Sequence, residues 1–472
     1  MSKINQKIHL ETMSAIFIIA LVSLLILANF WIGFSLPLYL FVMSLAVLLT
    51  LRFPRSGLYA TIFLTFVFER FFTLMSIYVG RSEYKLYPLD LLLGAIFFST
   101  LIQLLGKKIF WHWKKIDWFV LGFLIIASLY FLLGALVFKN EFALAFSSFK
   151  YYVFYPFLIW TTFLLMNDRE HFWRLGKFVL AGAIAIVGFI FYGILTGNGL
   201  WSEFTPLSTA GVRILAFTHA FYLSMASIVA LVYVSQKKND ASKMLLIVLL
   251  IWVVGIVGSM MRHLWVALIA AFALIFILAI KKEKVAILKL SAAYAIFAAL
   301  SLLFVMYVAF LFPQSTLYRN VGNITGVVGG RVTSIANSDD QSIAWRSEVW
   351  KSTIKQYAKN PVFGIGMGKK VSIEMGKYKD FVEVRNIHNS FLVLLVQLGF
   401  FGIGILLSML YLLVKNAYKK MDAGEEFRMM TQIALGILVL HIVAFMFQPY
   451  LETNLLGIFF WINLGVLRRL AA

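Results

Sequence analysis

The sequence predicts an all-α, polytopic membrane protein, and three observations carry that prediction. Of its 472 residues, 62% are hydrophobic and only 13% are charged, whereas a soluble globular protein has about 45–50% apolar and about 25% charged residues. The apolar residues fall into long runs separated by polar segments, and lysine and arginine concentrate in alternate segments. We therefore expect about 12–14 transmembrane helices and one large loop on the outer side of the membrane.

Up to fourteen runs approach the length of a spanning helix, which needs about 20 mainly apolar residues. They cover about 13–32, 36–51, 58–79, 88–105, 118–138, 151–166, 178–195, 214–235, 244–261, 264–280, 287–311, 390–414, 429–447 and 453–467. The first two runs are short and closely spaced, so the predicted number is 12–14. The polar start, Met1 to Glu11, leads into an apolar run without a small-residue cleavage site, which predicts an anchor rather than a signal peptide.

The basic residues predict the orientation of the chain. With the N-terminus in the cytoplasm, 24 lysines and arginines fall in inside segments and six in the short outer loops. This positive-inside bias places both termini in the cytoplasm. It also explains most of the net charge of +21, so we expect no nucleic-acid partner although such a charge is typical of nucleic-acid binders. The absence of cysteine excludes a disulfide framework.

One long polar loop interrupts the apolar pattern. Residues 312–388 carry eleven basic and six acidic residues over 77 positions. Long translocated loops escape the positive-inside rule, and a loop of this length in a compact domain is usually functional. We therefore divide the chain into N-terminal transmembrane helices (1–311), an extracytoplasmic catalytic loop (312–389) and C-terminal transmembrane helices (390–472).

An amphipathic helix is predicted inside this loop, from Ser342 to Lys359, because an Asn-Pro pair follows it. Arg346 lies one turn before Trp350, near the boundary between two faces of the helix. The residues along the apolar side are Trp345, Val349, Trp350, Ile354 and Tyr357, and lysines repeat on another side at 351, 355 and 359. This pattern suits either a helix lying at the membrane surface or an ordinary helix with a solvated lysine face.

A glycine-rich segment follows the amphipathic helix, Gly364-Ile365-Gly366-Met367-Gly368-Lys369-Lys370. Backbone N–H groups of such a segment can bind phosphate, but the segment is neither a P-loop nor a dinucleotide fingerprint. The preferred interpretation is a bend that lets the backbone pass close to a helix.

The most informative motif is Arg385-Asn386-Ile387-His388-Asn389-Ser390, directly ahead of a long apolar run. Asn389 or Ser390 is a good N-cap, so His388 is expected at the outer N-terminus of that helix. The positive end of the helix dipole favours a neutral imidazole and attracts anions. A neutral histidine beside an anion site is what a general base for a hydroxyl nucleophile requires. The alternative is a structural histidine at the membrane boundary.

Two further arginines are predicted at outer helix ends. Arg213 precedes the run that begins at Ile214 and carries His219, and Arg262 stands in a tight turn between two apolar runs. Single arginines at such positions often extend only to lipid headgroups. Guanidinium groups also bind phosphate bidentately, so Arg213, Arg262 and Arg346 together with His388 predict a diphosphate site.

Four acidic residues and one arginine need a separate explanation. Glu69 and Arg70 fall midway along the third run, where charges are costly, so they are expected to face the bundle interior or water and to point about 100° apart. They predict either a structural ion pair or a polar path. Asp90 lies near a helix start and is interpreted as structural. Asp339 and Asp340 form the only acidic pair of the loop, and without further ligands they are a poor metal site.

Together these stretches resemble the bacterial O-antigen ligase and polymerase family. Arg385 to Gly404, RNIHNSFLVLLVQLGFFGIG, resembles the family's His-Asn-x-x-Leu stretch and its glycine-rich helix. Trp345 to Gly368, WRSEVWKSTIKQYAKNPVFGIGMG, resembles the arginine-containing helix and the Gly-x-Gly turn. Ser259 to Arg262 is similar to a Ser-Arg turn, with two methionines inserted, and Gly211 to His219 is similar to another arginine segment that here lacks the usual proline.

The resemblance implies a fold similar to the C-type membrane glycosyltransferases and an inverting, metal-independent glycosyl transfer without a cofactor. It implies that His388 deprotonates the acceptor hydroxyl and that Arg213, Arg262 and Arg346 hold the diphosphate. Further binding residues for the diphosphate or glycan are Arg385, Asn389 and Trp350. The implied partners are an undecaprenyl-diphosphate-linked glycan donor, a lipid-linked saccharide acceptor and membrane lipids, at the outer face of the inner membrane.

Three functions remain open at this point. A polymerase would extend a glycan on a second lipid carrier, whereas a ligase would transfer finished glycan to lipid A–core. We favour the polymerase, because no lipid A-binding signature is recognisable in the sequence. A lipid-linked oligosaccharide transporter or flippase belongs to another class. It is disfavoured because the polar residues collect at the outer face, whereas a transporter keeps its site near the midplane.

Overall fold

The structure is a computed structural model that describes residues 3–80, 82–196, 199–200, 213–237, 240–311, 322, 341–375 and 378–472. Its first eight helices are α1 (Lys3–Ile32), α2 (Leu36–Arg52), α3 (Pro54–Phe68), α4 (Arg70–Thr73), α5 (Pro88–Leu105), α6 (Lys115–Leu132), α7 (Phe142–Phe149) and α8 (Phe157–Leu165). A short hairpin, β1 (Ile77–Val79) and β2 (Ser82–Tyr84), follows α4, and π-helical turns at Leu133–Val137 and Lys150–Phe154 extend α6 and join α7 to α8.

The later helices are α9 (Arg169–Thr196), α10 (Phe217–Gln236), α11 (Asp240–Gly258), α12 (Arg262–Leu278), α13 (Lys281–Leu311), α14 (Gln341–Tyr357), α15 (Ser390–Lys419), α16 (Glu425–Phe445) and α17 (Gly457–Leu470). A second antiparallel hairpin, β3 (Val371–Met375) and β4 (Tyr378–Val382), lies between α14 and α15. A 3₁₀ turn at Val384–Ile387 follows this hairpin, and another at Met421–Ala423 follows α15.

The predicted fold class is confirmed. Among the described residues, nine helices are long and apolar enough to cross a membrane, and α2 and α12 are shorter apolar helices. Thirteen of the fourteen apolar runs fall on helical segments, whereas the third, 58–79, covers α3, α4 and strand β1. A run of about 20 apolar residues satisfies its backbone polar groups in lipid only as a helix.

The third apolar run departs from the prediction of one continuous helix. Helix α3 ends at Phe68, and Glu69 has a positive φ of 46°. The expected 100° between Glu69 and Arg70 is therefore wrong, since the two residues do not share one helix. Glu69 is buried, with Oε1 3.6 Å from Nδ1 of His219, so the prediction that it faces the bundle interior is confirmed.

The centre of the bundle is formed by α10, α16 and α17, which are buried along most of their length. Small residues on α10 allow close approach of its neighbours, and Ser224 satisfies its hydroxyl by donating to the carbonyl of Ala220. The two ends of the bundle are called the His388 end and the Arg468 end. The His388 end carries the start of α15, and the Arg468 end carries the last turn of α17 and the start of α6.

A small subdomain stands on the His388 end, and residues 341–388 are called the hairpin subdomain. Its core consists of buried aliphatic side chains from α14, β3, the 3₁₀ turn and α15, namely Val349, Val371, Ile373, Ile387, Val393 and Val396. Trp345 and Trp350 pack against this core, whereas Ile354 is 53% exposed. Most of the apolar side of α14 therefore packs within the protein, and both interpretations of the helix, at the membrane surface or with a solvated lysine face, stay predictions.

The glycine-rich segment attaches the hairpin subdomain to a kink in α15. Gly399 has φ 64° inside this helix, and Phe400 N donates to the carbonyl of Pro361 at 3.0 Å. Gly364 has φ 69°, and a Cβ there would lie 2.5 Å from the carbonyl oxygen of Val396. Only glycine tolerates both the left-handed backbone and this approach. The predicted bend against a helix is confirmed.

Candidate active site

His388 is held at the N-terminus of α15 by local and tertiary contacts. Asn389 is the N-cap, and its side chain accepts a hydrogen bond from Leu392 N at 3.0 Å, as predicted. His388 itself has φ 55° and ψ 36°, an uncommon left-handed conformation for a residue other than glycine. Trp350 Nε1 donates to the carbonyl of Ile387 at 2.7 Å, which fixes the preceding turn against α14.

The imidazole of His388 has one nitrogen committed to a partner. Nδ1 lies 2.8 Å from Oε1 of Gln448, and because this oxygen accepts, Nδ1 carries the proton and Nε2 keeps its lone pair. The edge of the imidazole meets the Trp345 ring at a centroid distance of 5.5 Å. Burial lowers the pKa of His388, the hydrogen bond to Gln448 opposes this shift, and the Arg346 guanidinium lowers the pKa further. The neutral, base-competent form is therefore favoured at neutral pH.

The loop between α16 and α17, residues 446–456, forms the wall beside His388. Besides Gln448 it supplies Glu452, whose buried carboxylate accepts hydrogen bonds from Ser390 Oγ at 2.6 Å and from the Tyr152 hydroxyl. Ser390 Oγ accepts in turn from Leu451 N at 3.1 Å. Burial raises the pKa of Glu452 to about 7, although both of these donated bonds lower it. The first residue of α15 is thus tied to this loop.

Arg262 begins α12 at the same end of the bundle. The tight turn before it is possible because Met260 adopts φ 58° and Ser259 Oγ donates to the carbonyl of Ile256 at 2.7 Å. The next residue, His263, places Nε2 2.7 Å from the hydroxyl of Tyr450. The α12 turn therefore contacts the same loop that holds His388.

Arg213 reaches this end through a segment packed between α9 and α11. Ile214 N donates to the carbonyl of Gly258 at 3.1 Å, and a Cβ on Gly258 would lie 2.2 Å from the Ile214 side chain. A Cβ on Gly193 would lie 2.0 Å from the Ile214 carbonyl oxygen. Because neither glycine carries a side chain, the backbone at Ile214 fits closely against α9 and α11, and Arg213 lies at the His388 end of the bundle.

Electrostatic interactions bring the predicted residues to one centre. The charges of Arg346, Arg213 and Arg262, as well as His388, act on the imidazole of His263. Burial raises the pKa of Tyr450, and the guanidinium groups of Arg346 and Arg213 oppose this shift. Because Coulomb interactions weaken with distance and solvent screening, residues 213, 262, 346 and 388 lie near His263, and Arg213 and Arg346 also lie near Tyr450. Four segments far apart in sequence meet there.

The other residues predicted for the site either make structural contacts or lie outside the described part of the chain. Trp350 fixes the turn before His388, and Asn389 caps α15, so both have structural contacts whether or not they touch a substrate. The side chain of Arg385 lies outside the described residues, as do Asp339 and Asp340. Within the described part of the chain, no group of three or more His, Asp or Glu side chains is arranged to hold a metal ion.

A separate groove runs along the C-terminal half of α14. Its cavity volume is about 1030 Å³. Its wall combines apolar residues of α6 and α15, such as Leu129 and Phe401, with Lys355, Lys359 and Lys369. None of the four basic residues of the candidate site lines this groove. It is the most prominent amphipathic surface of the hairpin subdomain.

Sequence reasoning missed Gln448, Tyr450 and Glu452, and it noticed His263 only as part of a turn. The available signal was the segment Gln448-Pro449-Tyr450-Leu451-Glu452-Thr453-Asn454, where polar residues are crowded between two apolar runs. Its meaning depends on the tertiary packing that brings residues 448 and 388 together. A short polar connection on the same side as a predicted site is the feature that would have indicated it.

Comparison with known proteins supports the resemblance. Residues 245–407 match the family model described as O-Antigen ligase, so the resemblance to the O-antigen ligase and polymerase family is confirmed. The matched range includes Arg262, Arg346 and His388, whereas Arg213 and the 446–456 loop lie outside it. No curated protein matches the chain. The match indicates a glycosyltransferase-like, multi-pass membrane enzyme with lipid-linked saccharide substrates.

Proposed function

We propose that this O-antigen ligase-type protein is an inverting polysaccharide polymerase that uses an undecaprenyl-diphosphate-linked glycan as donor. The observation that carries the proposal is a neutral His388, held by Gln448 and lying near Arg346, beside a His263 that Arg213 and Arg262 also approach. The acceptor hydroxyl oxygen would attack the anomeric carbon from the face opposite the diphosphate. The new C–O bond forms as the bond to the diphosphate breaks, and the diphosphate departs with the electron pair.

His388 is proposed as the base of this step. Its Nδ1 is occupied by Gln448, so Nε2 is the atom that takes the proton of the acceptor hydroxyl. Its lowered pKa keeps the imidazole neutral at the pH of the cell envelope, which general base catalysis requires. The left-handed backbone at this residue is the kind of strain that functional sites often retain.

The leaving group is proposed to bind to Arg213, Arg262 and Arg346, with Arg385 as a further contact. A departing diphosphate gains negative charge, and preorganised cations in a partly desolvated site stabilise that charge more than water does. Arginine suits this role because its planar fork binds phosphate oxygens bidentately. In this proposal the guanidinium groups supply the positive charge, so the transfer is metal-independent.

We place the His388 end on the outer face of the bacterial inner membrane, with both termini in the cytoplasm and the loop at 312–389 as the catalytic segment. The supporting observation is the charge distribution, since Lys114, Lys420 and Arg469 cluster at the Arg468 end. Basic residues collect on the cytoplasmic side of membrane proteins. The lipid-linked donor would then enter from the outer leaflet.

The acceptor is proposed to be a second lipid-linked saccharide, with lipid A–core as the alternative that would make the protein a ligase. The groove beside α14 supports a second amphipathic substrate, because its apolar wall suits lipid and its lysines suit phosphate. A lipid-linked oligosaccharide transporter remains the candidate of another class. It lacks support because the arginines and His388 lie at one end of the bundle, not at its midplane.

The test is a reconstitution of the purified protein in liposomes with undecaprenyl-diphosphate-linked repeat units as the only saccharide. We expect a ladder of longer glycans, which is lost in His388→Ala and retained in His9→Ala, a histidine near the N-terminus. A product formed only after lipid A–core is added would identify a ligase. Normal turnover in His388→Ala would remove His388 from the base role, and donor movement across the bilayer without transfer would favour a transporter.

A further inference from the structure

A second cavity lies at the Arg468 end, far from His388. The two regions lie at opposite ends of helix α15, whose part after the kink, residues 400–419, alone spans about 30 Å at 1.5 Å per residue. The cavity has a volume of about 740 Å³. Its walls carry aromatic and basic side chains, namely Phe110, His112, Lys114, Phe163, Lys420, Phe427, Arg468 and Arg469. The catalytic proposal assigns no role to it.

The central residue of this cavity is Arg468, which is fully buried. Its Nε and Nη2 donate to the two carboxylate oxygens of Asp117 at 3.1 and 2.7 Å. Its guanidinium carbon lies 4.3 Å from the centroid of the Phe163 ring. Nη1, however, has no hydrogen-bond partner among the residues that the structure describes. A buried charged donor left in this state is costly, so a ligand atom is expected next to it.

Positive charge exceeds negative charge around this atom. Asp117 pairs with Arg468 and the carboxylate of Asp168 acts on Arg469, while Lys114 and Lys420 add two further cations. Lys114 Nζ donates to the terminal Ala472 carbonyl oxygen, and Arg469 donates to the backbone carbonyl of residue 167. Burial lowers the pKa of Lys114, and the charges of Lys420 and Arg468 lower it further. Such crowding of like charges is relieved when an anion occupies the space between them.

We propose that this cavity binds the phosphate group of an anionic membrane lipid. Arg468 Nη1, Lys114 and Lys420 would contact the phosphate oxygens. The lipid chains would follow the aromatic wall, where Phe110 is 75% exposed and Phe163 and Phe427 complete the surface. Free phosphate offers the same chemistry for the cations but does not account for this apolar wall.

Tryptophans beside the cavity support a lipid over a soluble anion. The tilted rings of Trp111 and Trp113 have centroids 4.7 Å apart, and the ring centroid of Trp113 lies 5.3 and 5.7 Å from those of Trp118 and Trp160. Clustered tryptophans mark the level of lipid headgroups in membrane proteins. The cations next to them therefore lie at the depth where a lipid phosphate is found.

The experiment compares thermal unfolding of the full chain in vesicles of phosphatidylcholine with and without phosphatidylglycerol. Lys114→Gln and Lys420→Gln remove cavity cations, and Lys419→Gln is the matched control, since this adjacent lysine does not line the cavity. We expect phosphatidylglycerol to raise the Tm of the wild type and of Lys419→Gln, and to raise it by less than half as much in the two cavity variants.

Two results would overturn the proposal. Equal Tm shifts in Lys419→Gln and Lys420→Gln would show general attraction of an anionic surface rather than a site. A full Tm shift from inorganic phosphate added to phosphatidylcholine vesicles would identify a free anion as the occupant. Native mass spectrometry provides an independent readout, because a site retains phosphatidylglycerol on the wild type and on Lys419→Gln but not on Lys420→Gln.

Discussion

Replacing Gln448 by methionine isolates the contact that orients His388. The change keeps a side chain of similar length but removes the oxygen that lies 2.8 Å from His388 Nδ1. A neutral hydrogen bond of this kind contributes about 0.5–1.5 kcal/mol, which corresponds to a rate effect of roughly two- to tenfold. We expect turnover to fall by that factor, because part of the population then carries its proton on Nε2 and cannot act as a base.

The same substitution should shift the pH dependence of turnover in a definite direction. The base form of His388 is lost as pH falls through its pKa, and the bond to Gln448 raises that pKa. Without the bond the pKa falls, so the acidic limb of the activity profile moves to lower pH. Arg346→Gln should do the opposite, because the guanidinium lowers the pKa of His388 and its removal lets that pKa rise.

The assay is initial rate against pH in proteoliposomes loaded with the lipid-linked repeat unit. Gln356→Met is the matched control, since Gln356 lies in the hairpin subdomain and donates to the carbonyl of Ser372 rather than contacting His388. Its acidic limb should stay at the wild-type position. An unchanged rate in Gln448→Met, or a limb displaced to higher pH, would refute the assignment of Gln448 as the positioning residue of His388.

The remaining predictions concern the stability of the site and its phosphate contacts. Glu452→Gln should flatten the pH dependence of Tm. In the wild type the pKa of this carboxyl is raised to about 7 in the folded state, so stability is lost as pH rises from about 4.5 to 7. A wild-type Tm that does not fall over this range would contradict the burial argument. Gly399→Ala should lower stability by roughly 1–3 kcal/mol, since the new Cβ would lie 2.2 Å from a carbonyl oxygen of the hairpin subdomain, and an unchanged Tm would show that the kink adapts. Arg213→Lys and Arg262→Lys should reduce turnover nearly as much as alanine if each binds phosphate bidentately, whereas full activity in either would indicate a simple headgroup contact.

The transmembrane helices and the cap of α15 could be predicted from the sequence because their causes are local. An apolar run of sufficient length forms a helix in lipid whatever its neighbours are. Asn389 caps α15 through a bond to Leu392, three residues away. The glycine bend was also predictable in kind, since residues 364, 366 and 368 all have φ near 70–80°, a backbone that glycine adopts readily.

The end of α3 and the second hairpin could not be predicted in the same way. Glu69 interrupts an otherwise apolar run, and the break places its carboxylate beside His219 inside the bundle. Strands β3 and β4 lie in a polar loop, where Val371 and Ile373 of β3 enter the small core and Val382 of β4 packs against it. Their pairing depends on α14, which covers the apolar side of the hairpin. Tertiary packing decides both features.

The candidate site shows why its chemistry was only partly visible in sequence. Arg213, Arg262, Arg346 and His388 could be named individually, because each stands next to an apolar run. Their meeting point could not, since it is formed by the 446–456 loop. That loop contacts His388 through one side chain and the α12 turn through another, so it couples the base to the neighbourhood of the arginines.

This coupling favours a site that is assembled before substrate arrives. Helix α15 is fixed at its start through Ser390 and Glu452 and at its kink through Gly399 and the bend of the hairpin subdomain. His388 lies between these attachments and the turn held by Trp350, so its imidazole has little freedom to reorient. In a transfer reaction a base with a preset direction avoids the cost of organising the site during the step. Selectivity for the acceptor must then arise in the surfaces that bring its hydroxyl to Nε2, and the lysine-bearing groove along α14 is one candidate for such a surface.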